Sequence, residues 1–269
     1  MPQTAPSAAL SVQLYSVRDA LAADRDGTLK RLAALGYRYV EPFGLGDWRT
    51  PPAERAAQAR ALRDALDAAG LGVSSLHAAL AEGDPAPLAE ECRILGADTV
   101  FVPVPELVQG FEREVFEDPA RLAAFAGRLN AAARGLADHG VRLGYHNHEF
   151  EWVTLPGGRT GYEAFWEHAD DLLLAELDVY WATVAGQDPA ALLRGLGARA
   201  VAVHVKDGPA RRGAPQTPLG TGDVDVPAAL AAAPQLTWHI AEIDTTDEDV
   251  FTLLERNRAA LLAQGRTTA

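Results

Sequence analysis

The sequence has little of two things: it contains one cysteine, Cys92, and only 24 Lys and Arg residues against 37 Asp and Glu. A single cysteine excludes an internal disulfide framework and is typical of a reducing cytoplasm. The net charge of −13 argues against a general nucleic-acid binder, because neutralising phosphates requires clustered Lys and Arg. No apolar run reaches the roughly 18 residues of a membrane span. The N-terminal sequence MPQTAPSAAL lacks the charge and apolar stretch of a secretion signal. We therefore expect a cytoplasmic protein that binds neither nucleic acid nor membranes.

Eight short apolar runs alternate with Ala- and Leu-rich segments of helical composition. Each run has 7 to 10 residues rich in Val, Ile, Leu and aromatics, which favours buried strands over helices. The predicted strands are residues 11–17, 37–43, 72–78, 99–105, 142–150, 172–181, 201–207 and 236–243.

Capping signals predict the helices between these strands. Thr28 is expected to cap a helix that Gly36 ends, and the helix over 54–69 ends before Gly70. Asp118 and Pro119 start a helix over 119–138. A final helix is expected from about Asp247 to about Ala263.

Eight strand–helix units over 269 residues indicate a parallel sheet of the size of a closed (β/α)₈ barrel. The rival is a doubly wound open sheet, which usually has a glycine-rich first turn that is missing here. We therefore predict an α/β fold, a (β/α)₈ TIM barrel, as a single domain over residues 1–269. Residues 1–9 are expected to form a flexible N-terminus.

The polar residues of the chain collect at the carboxyl ends of the predicted strands, where barrel enzymes place their chemistry. Four of the seven histidines lie at these ends. The residues at strand ends are Glu41, His77, His146, Asn147, His148, Glu151, Asp178, His204, Lys206, Asp207, Glu242 and Asp244.

Strand alternation indicates which of these side chains point into the barrel. His204 and Lys206 share a face, and an inward Asp178 would turn Trp181 outward. A buried carboxylate costs several kcal/mol unless it is paired or bound to a metal. Asp178, His204 and Glu242 come from neighbouring strands and would relieve this cost by sharing a divalent cation. Mixed carboxylate and imidazole ligands suit Mn²⁺, Fe²⁺, Co²⁺ or Zn²⁺ better than Ca²⁺.

The chain resembles the sugar phosphate isomerase/epimerase family of xylose-isomerase-like TIM barrels, which includes ketose 3-epimerases and inosose dehydratases. The similarity runs from QLYSVRD to AEID in the last strand. Its most specific motifs are YHNHEFEW (145–152), LDVYWATVAGQDP (177–189), HVKDG (204–208) and PLGTGDVD (218–225).

The resemblance implies one divalent metal ion, held by Glu, Asp, His and Glu at the ends of strands five to eight. Mg²⁺ joins Mn²⁺, Fe²⁺, Co²⁺ and Zn²⁺ as a candidate for this ion. Asp178, His204 and Glu242 match the last three positions. The chain departs from the family at the first, where His146 stands in place of the usual carboxylate. His146 is therefore expected to be the fourth ligand, with substrate hydrogen bonding or a core position as its alternatives.

The resemblance further implies a sugar or cyclitol isomerase or epimerase that removes a proton next to a carbonyl and passes through an enediolate. Glu242 is expected to be the acid/base, with His148 as its partner and Lys206 as a cation for substrate oxygen. A salt bridge to Asp207, Glu176 or a neighbouring residue is the alternative for Lys206. The expected substrate contacts are Glu41, His77, Glu151, Arg211 and Tyr15.

Three alternatives remain open at this stage. The same metal and base would support elimination by a lyase or dehydratase acting on keto-sugars or inososes. Apurinic-site endonucleases share this barrel, but they need additional metal ligands and a basic groove, which the acidic charge disfavours. A metal-free sugar-binding barrel is the non-enzymatic alternative. A small-molecule sugar or cyclitol is the expected partner, and a homodimer is compatible with the family.

Overall fold

The computed structural model describes residues 7–269. Ten strands are present in this range: β1 (Ala8–Gln13), β2 (Tyr39–Glu41), β3 (Gly72–Val73), β4 (Leu76–His77), β5 (Thr99–Val102), β6 (Arg142–His146), β7 (Leu174–Asp178), β8 (Ala200–Val205), β9 (Trp238–Ala241) and β10 (Thr267–Thr268). The α-helices are α1 (Arg18–Ala23), α2 (Arg25–Ala34), α3 (Pro52–Ala69), α4 (Ala86–Leu95), α5 (Pro119–Ala137), α6 (Gly161–His168), α7 (Val179–Val184), α8 (Pro189–Leu196), α9 (Val226–Ala232) and α10 (Val250–Ala263).

The strands form one parallel sheet in the order β3-β2-β1-β9-β8-β7-β6-β5-β4, and the short β10 adds to β1. Because β3 and β4 are two pieces of one chain segment, separated only by Ser74 and Ser75, the sheet returns to its own start. The pairing of β1 with β9, from Ala9 against Trp238 to Val12 against Ala241, joins the first and last barrel strands. The predicted (β/α)₈ barrel is therefore confirmed, with its third strand interrupted.

The large apolar core lies between the sheet and the surrounding helices, as the alternation of strands and helices requires. A second, small apolar cluster of Phe101, Ala202 and Ile240 lies separately from it. Buried polar residues from the barrel strands include Ser11, Gln13, Ser74, Ser75 and Glu41. Buried polar side chains require partners, so this polar interior indicates a site.

The helix ends largely follow the capping signals. Asp118 accepts hydrogen bonds from the backbone N–H groups of Ala120 and Arg121 at 2.8 and 3.1 Å and starts α5. Gly70 ends α3 in the left-handed conformation at φ 72°. The cap of α2 was wrongly predicted as Thr28, because Asp24 accepts from the N–H of Gly27 and starts the helix earlier.

Several expectations on the strands and the N-terminus need correction. The strand predicted over 142–150 ends at His146, and Phe150–Trp152 form a 3₁₀ turn. Residues 14–17 form a 3₁₀ turn and not the end of a strand. Ala8 and Ala9 belong to β1, so the expected flexible segment 1–9 does not extend to them, and residues 1–6 lie outside the described range. The strand predicted to run through Trp181 ends at Asp178, because the Asp178 carboxylate accepts the N–H of Trp181 at 2.9 Å and starts α7. No helix among residues 7–269 is long and apolar enough to cross a membrane.

Candidate active site

The histidines and carboxylates predicted from the strand ends do converge at the carboxyl end of the barrel. Glu41, His77, His146 and Asp178 are the last residues of β2, β4, β6 and β7. His204 lies one residue before the end of β8, and Glu242 follows β9 directly. All of these side chains are buried. Parallel strands bring residues that are up to about 200 positions apart in the chain to one edge of the sheet, which is where barrel enzymes carry their active sites.

His204 lies at the centre of this cluster. Its Nδ1 atom is 2.7 Å from Glu242 Oε2, and its Nε2 atom is 2.7 Å from Glu41 Oε2. The Nε2 atom is also 3.2 Å from Glu176 Oε2. Burial alone would lower the pKa of His204, but the carboxylates of Glu176, Glu242 and Glu41 outweigh it and hold that pKa well above its usual value.

His146 contacts a carboxylate on each side of its ring. Its Nδ1 atom is 3.1 Å from Glu176 Oε2, and its Nε2 atom is 3.8 Å from Asp178 Oδ2. Burial, together with the positive charge of His204, lowers the pKa of His146 to about 3, so this imidazole is neutral. Asn147 ties the two strand ends together, because its side-chain oxygen accepts the backbone N–H of Asp178 at 3.0 Å.

Lys206 neutralises three carboxylates of the site, those of Asp178, Glu242 and Asp244. Its Nζ atom lies 2.8 Å from Asp178 Oδ2 and 2.8 Å from Asp244 Oδ2, and it also bonds Glu242. Burial would raise the pKa of Glu242, but Lys206 and His204 hold it well below its usual value, so this carboxylate is ionised. Lys206 thus forms salt bridges, as its alternative expected, but its partners are Asp178, Glu242 and Asp244 and not Asp207 or Glu176.

Glu176 is a central residue that the sequence reasoning missed as a site residue. Its Oε2 atom accepts from His77 Nε2 at 2.6 Å and contacts both His146 and His204. Burial would raise its pKa, yet these imidazoles hold it well below the usual value. The available signal was its spacing: Glu176 lies two residues before Asp178 on one strand, so both side chains share the inward face.

A cavity of about 440 Å³ opens above this cluster. His77, His146, His148, Glu242 and Asp244 supply its polar lining. Its other lining residues are largely apolar: Tyr15, Phe43, Gly44, Pro103, Val104, Leu107 and Trp181. Two other cavities of about 430 and 520 Å³ are not lined by histidine together with carboxylate. Of these three cavities, the one at the barrel mouth therefore combines histidine and carboxylate side chains and is the candidate active site.

Residues 29–260 match the family model of the xylose isomerase-like TIM barrel. The chain belongs to this family. No curated protein sequence matches the chain.

Several solved structures share the barrel. A sugar phosphate isomerase/epimerase from Parabacteroides distasonis superposes with a TM-score of 0.77 at 24% identity, over 100% of this chain and 98% of that one. L-ribulose 3-epimerase gives a TM-score of 0.64 at 17% identity, over 96% and 94% of the two chains. The probable 3-DHS dehydratase AsbF from Bacillus anthracis gives 0.68 at 14% identity, over 94% and 98%. At these identities the likeness concerns the fold.

The cluster of this xylose isomerase-like barrel can hold a metal ion. The ligand atoms of His146, Asp178, His204 and Glu242 all lie within 4.8 Å of one another. First-row divalent metals bind imidazole nitrogen and carboxylate oxygen at about 2.0–2.2 Å, so atoms on opposite sides of the ion are about 4.0–4.4 Å apart. Lys206 Nζ lies 2.8 Å from Asp178 Oδ2 and also bonds Glu242. An ion held by these two carboxylates would therefore displace the ammonium from them.

The structure brings together only part of the expected substrate-binding set. Tyr15 and His77 line the cavity. Glu41 lies below it and bonds His204, Gln13 and Ser75.

Two further expected contacts lie away from the cavity lining. Glu151 is buried beside the cavity, where it accepts the Tyr145 hydroxyl and the backbone N–H of His148, each at 2.9–3.0 Å. Arg211 is exposed in the loop after β8 and does not line the cavity.

The trio His148, Phe150 and Trp181 forms an aromatic edge to the site. The rings of His148 and Phe150 stack with their centroids 5.8 Å apart, and Trp181 lies 6.1 Å from His148. His148 Nδ1 is buried without a hydrogen-bond partner. Burial, together with the nearby His146 and Lys206, holds the pKa of His148 well below its usual value, so the ring is neutral. Trp181, expected to face outward, lines the cavity instead, because the chain turns into α7 directly after Asp178.

The motif PLGTGDVD closes a loop around Asp207. The Asp207 carboxylate accepts backbone N–H groups of Gly208 and Gly220 at 2.8 Å, and of Gly222 and Val224 at 3.0 and 3.1 Å. A Cβ atom on Gly222 would lie 2.2 Å from Asp207 Oδ1, so only glycine fits there. This motif is therefore explained by the architecture of the loop next to the cavity.

Proposed function

We propose that this barrel catalyses proton transfer at a carbon next to the carbonyl group of a sugar or cyclitol, as an isomerase or epimerase. The observation that carries the proposal is that an ionised carboxylate, Glu242, and a neutral histidine with an unpartnered nitrogen, His148, line the same cavity. An ionised carboxylate accepts a proton from carbon, and an imidazole can donate or accept the second proton. Removal of the proton leaves an enediolate.

The two histidines of strand β6 divide their tasks in this proposal. Both nitrogens of His146 face carboxylates, which suits a residue held in place as a ligand. His148 has a free Nδ1 atom and lines the cavity, which suits a residue that meets substrate. We therefore assign His146, Asp178, His204 and Glu242 to a divalent cation and His148 to proton transfer. A bound cation supplies Lewis-acid polarisation of a carbonyl and an adjacent hydroxyl oxygen.

Lys206 supplies positive charge beside the same carboxylates. Its ammonium bonds Glu242 and Asp244, both of which line the cavity. Lys206 is buried and does not itself line the cavity. It keeps Glu242 ionised, and its charge behind the cavity wall would favour negative charge that develops on a substrate oxygen.

The cavity lining favours an uncharged substrate. Among its described lining residues there is no arginine or lysine, so a phosphate group in the outer part of the cavity would have no cationic side chain as a partner. Tyr15, Phe43, Leu107 and Trp181 give the outer part an apolar surface, against which a sugar ring face can pack. This outer apolar volume also favours a second candidate, elimination of a β-substituent from a keto-sugar or inosose, because a leaving group needs room beside the ring.

The deciding experiment follows proton exchange in D₂O by NMR for ketoses, inososes and 3-keto-sugars, with metal content measured on the same samples. We expect exchange at the carbon next to the carbonyl and about one equivalent of Mn, Fe, Co or Zn. Glu242→Gln should reduce exchange by about 10²–10⁴-fold, the contribution of an acid/base group. Glu255→Gln, on the exposed face of α10, is the control and should exchange normally.

Each outcome has a distinct meaning. Addition of a solvent deuteron to the substrate, with no group lost, supports isomerisation or epimerisation. Loss of water or an aglycone supports elimination. Glu242→Gln retaining more than about a tenth of wild-type exchange would remove it as the acid/base. Binding of sugars with neither metal nor exchange, even after reconstitution with metal, would leave a metal-free sugar-binding barrel as the function.

A further inference from the structure

His146 and His204 each lie between two carboxylates, one at each ring nitrogen. For His146, Glu176 lies at Nδ1 at 3.1 Å and Asp178 at Nε2 at 3.8 Å. For His204, Glu41 lies at Nε2 and Glu242 at Nδ1, both at 2.7 Å. The four carboxylates thus form two pairs on opposite sides of the imidazoles. We call Asp178 and Glu242 the outer pair, and Glu41 and Glu176 the inner pair.

The inner pair is held in place by donors other than these two imidazoles. Gln13 donates to Glu41 at 2.8 Å, and the hydroxyl of Ser75 donates to its other oxygen. Glu176 also accepts from His77 at 2.6 Å. Both inner carboxylates are fully buried and neither lines the cavity. They are therefore fixed acceptors that a substrate does not reach.

We infer that Glu176 and Glu41 are positioning residues: they accept the N–H groups of His146 Nδ1 and His204 Nε2, and thereby direct His146 Nε2 and His204 Nδ1 toward the outer pair and a divalent cation. The inference rests on the metal site proposed above. Imidazole ligands of metals commonly donate their second N–H to a carboxylate, which fixes the tautomer and the ring orientation.

This arrangement gives Glu176 a further role. The proposed ligand from strand β6, His146, is an imidazole and not a carboxylate. A neutral imidazole contributes no negative charge to a cation, whereas a carboxylate behind that imidazole does. Glu176, on the adjacent strand β7, hydrogen-bonds this imidazole and thus supplies the negative charge that the ligand from strand β6 does not carry.

A cation between His77, His146, Glu176 and His204 is the competing arrangement, because their ligand atoms also lie within 4.8 Å of one another. The charge of the donor set favours the outer side. Asp178 and Glu242 give a cation there two carboxylates, whereas Glu176 is the single carboxylate of the inner group. Two members of each group line the cavity, so the second test below separates the two sides.

The first test reads the tautomer of His146 directly. Long-range ¹⁵N–¹H NMR on the metal-free wild-type protein, assigned by comparison with His146→Gln, should find its proton on Nδ1. In Glu176→Gln, where the charged acceptor is lost, the Nδ1–H signal should weaken or vanish. A proton on Nε2 of His146 in the wild type would overturn the inference. This readout requires no metal and no activity, so it is independent of the success of the proposed function.

The second test measures binding of Mn²⁺ and Co²⁺ by competition with a chelator. Glu176→Gln should weaken binding by about 10–100-fold, the usual effect of losing such a partner, and should alter the visible spectrum of bound Co²⁺. Glu91→Gln is the matched control. Glu91 is an equally buried glutamate of α4, and it pairs with Arg55 of α3 away from the site. It should leave both the affinity and the spectrum unchanged.

Two results of this test would refute the inference. One is a Glu176→Gln affinity within about twofold of wild type with an unchanged Co²⁺ spectrum. The other is complete loss of binding in Glu176→Gln and His77→Asn while Asp178→Asn still binds, which would put the cation on the inner side. If Glu176→Gln does not fold, Glu41→Gln tests the same point through His204.

Discussion

Lys206 offers the sharpest test of the charge balance in this site. Its side chain is 1% exposed, and its ammonium is the partner of three carboxylates, those of Asp178, Glu242 and Asp244. Lys206→Met keeps the length and most of the volume of the side chain but removes the charge. The metal-free variant then buries carboxylates without their cation.

The size of the effect follows from this burial. Removing one partner of a buried ion pair costs about 3–5 kcal/mol, because the remaining charge is left uncompensated. In a chain of this size about 1 kcal/mol corresponds to about 2–4 °C in melting temperature. We therefore expect Lys206→Met to melt about 6–20 °C below wild type in the presence of EDTA.

A divalent cation should rescue much of this loss. The ammonium and the cation share the carboxylates of Asp178 and Glu242, so the variant should bind metal more tightly than wild type. At a metal concentration of 100 times the dissociation constant, binding stabilises the folded state by about 2.7 kcal/mol. Added Mn²⁺ should accordingly raise the melting temperature of Lys206→Met more than that of the wild type.

The assay is thermal unfolding followed by circular dichroism, in EDTA and in a Mn²⁺ titration. Arg134→Met is the control, because Arg134 forms an exposed ion pair with Asp170, which is worth at most about 1 kcal/mol. The reasoning is refuted if Lys206→Met in EDTA melts within about 2 °C of wild type, or if Mn²⁺ stabilises the wild type more than the variant.

Two further predictions concern the surroundings of the site. Burial raises the pKa of Glu151 from 4.5 to about 8, so between these pH values the folded protein keeps a proton that the unfolded chain releases. The stability that this proton contributes is complete below about pH 4.5 and is lost as the pH rises through about 8. Urea unfolding should therefore show a smaller fall in stability from pH 5 to pH 8 for Glu151→Gln than for wild type, and an equal fall would contradict the assignment. Gly222→Ala should lower the urea midpoint by an amount equivalent to about 1–3 kcal/mol, because the new methyl group would press on Asp207. Gly127→Ala, in α5 with open space around it, is its control, and equal midpoints for the two variants would show that the loop yields without cost.

The charge partners of the site could not be predicted from the sequence. The spacing of Lys206 from His204 indicated an inward lysine, but Asp178 and Asp244 lie 28 and 38 positions away from it. Only the registers of β7 with β8 and of β8 with β9 bring these groups to one point. The same holds for Glu176, whose inward face was readable but whose contact with His77, 99 positions away, was not.

The loops show a second limit of periodicity. The alternation of strand side chains was applied through Trp181, but the strand stops at Asp178 because that carboxylate caps the next helix. Because the chain turns into α7 at this cap, strand alternation no longer gives the direction of the side chains that follow Asp178. Arg211 was placed near the site from its loop position alone, and the loop keeps it at the surface.

The sequence by itself determined the barrel, several of its helix ends and the residue types at the carboxyl ends of its strands, because hydrophobic period and capping act over a few neighbouring residues. It also indicated Asp178, His204 and Glu242 as one group, through their positions on neighbouring strands, and the resemblance to the family added His146. Only the tertiary structure decided which nitrogen of each imidazole faces which carboxylate, that Lys206 lies among three acids, and that Glu176 joins the histidines. These are distances of about 3 Å between strands, and they depend on how the closed sheet sets its registers.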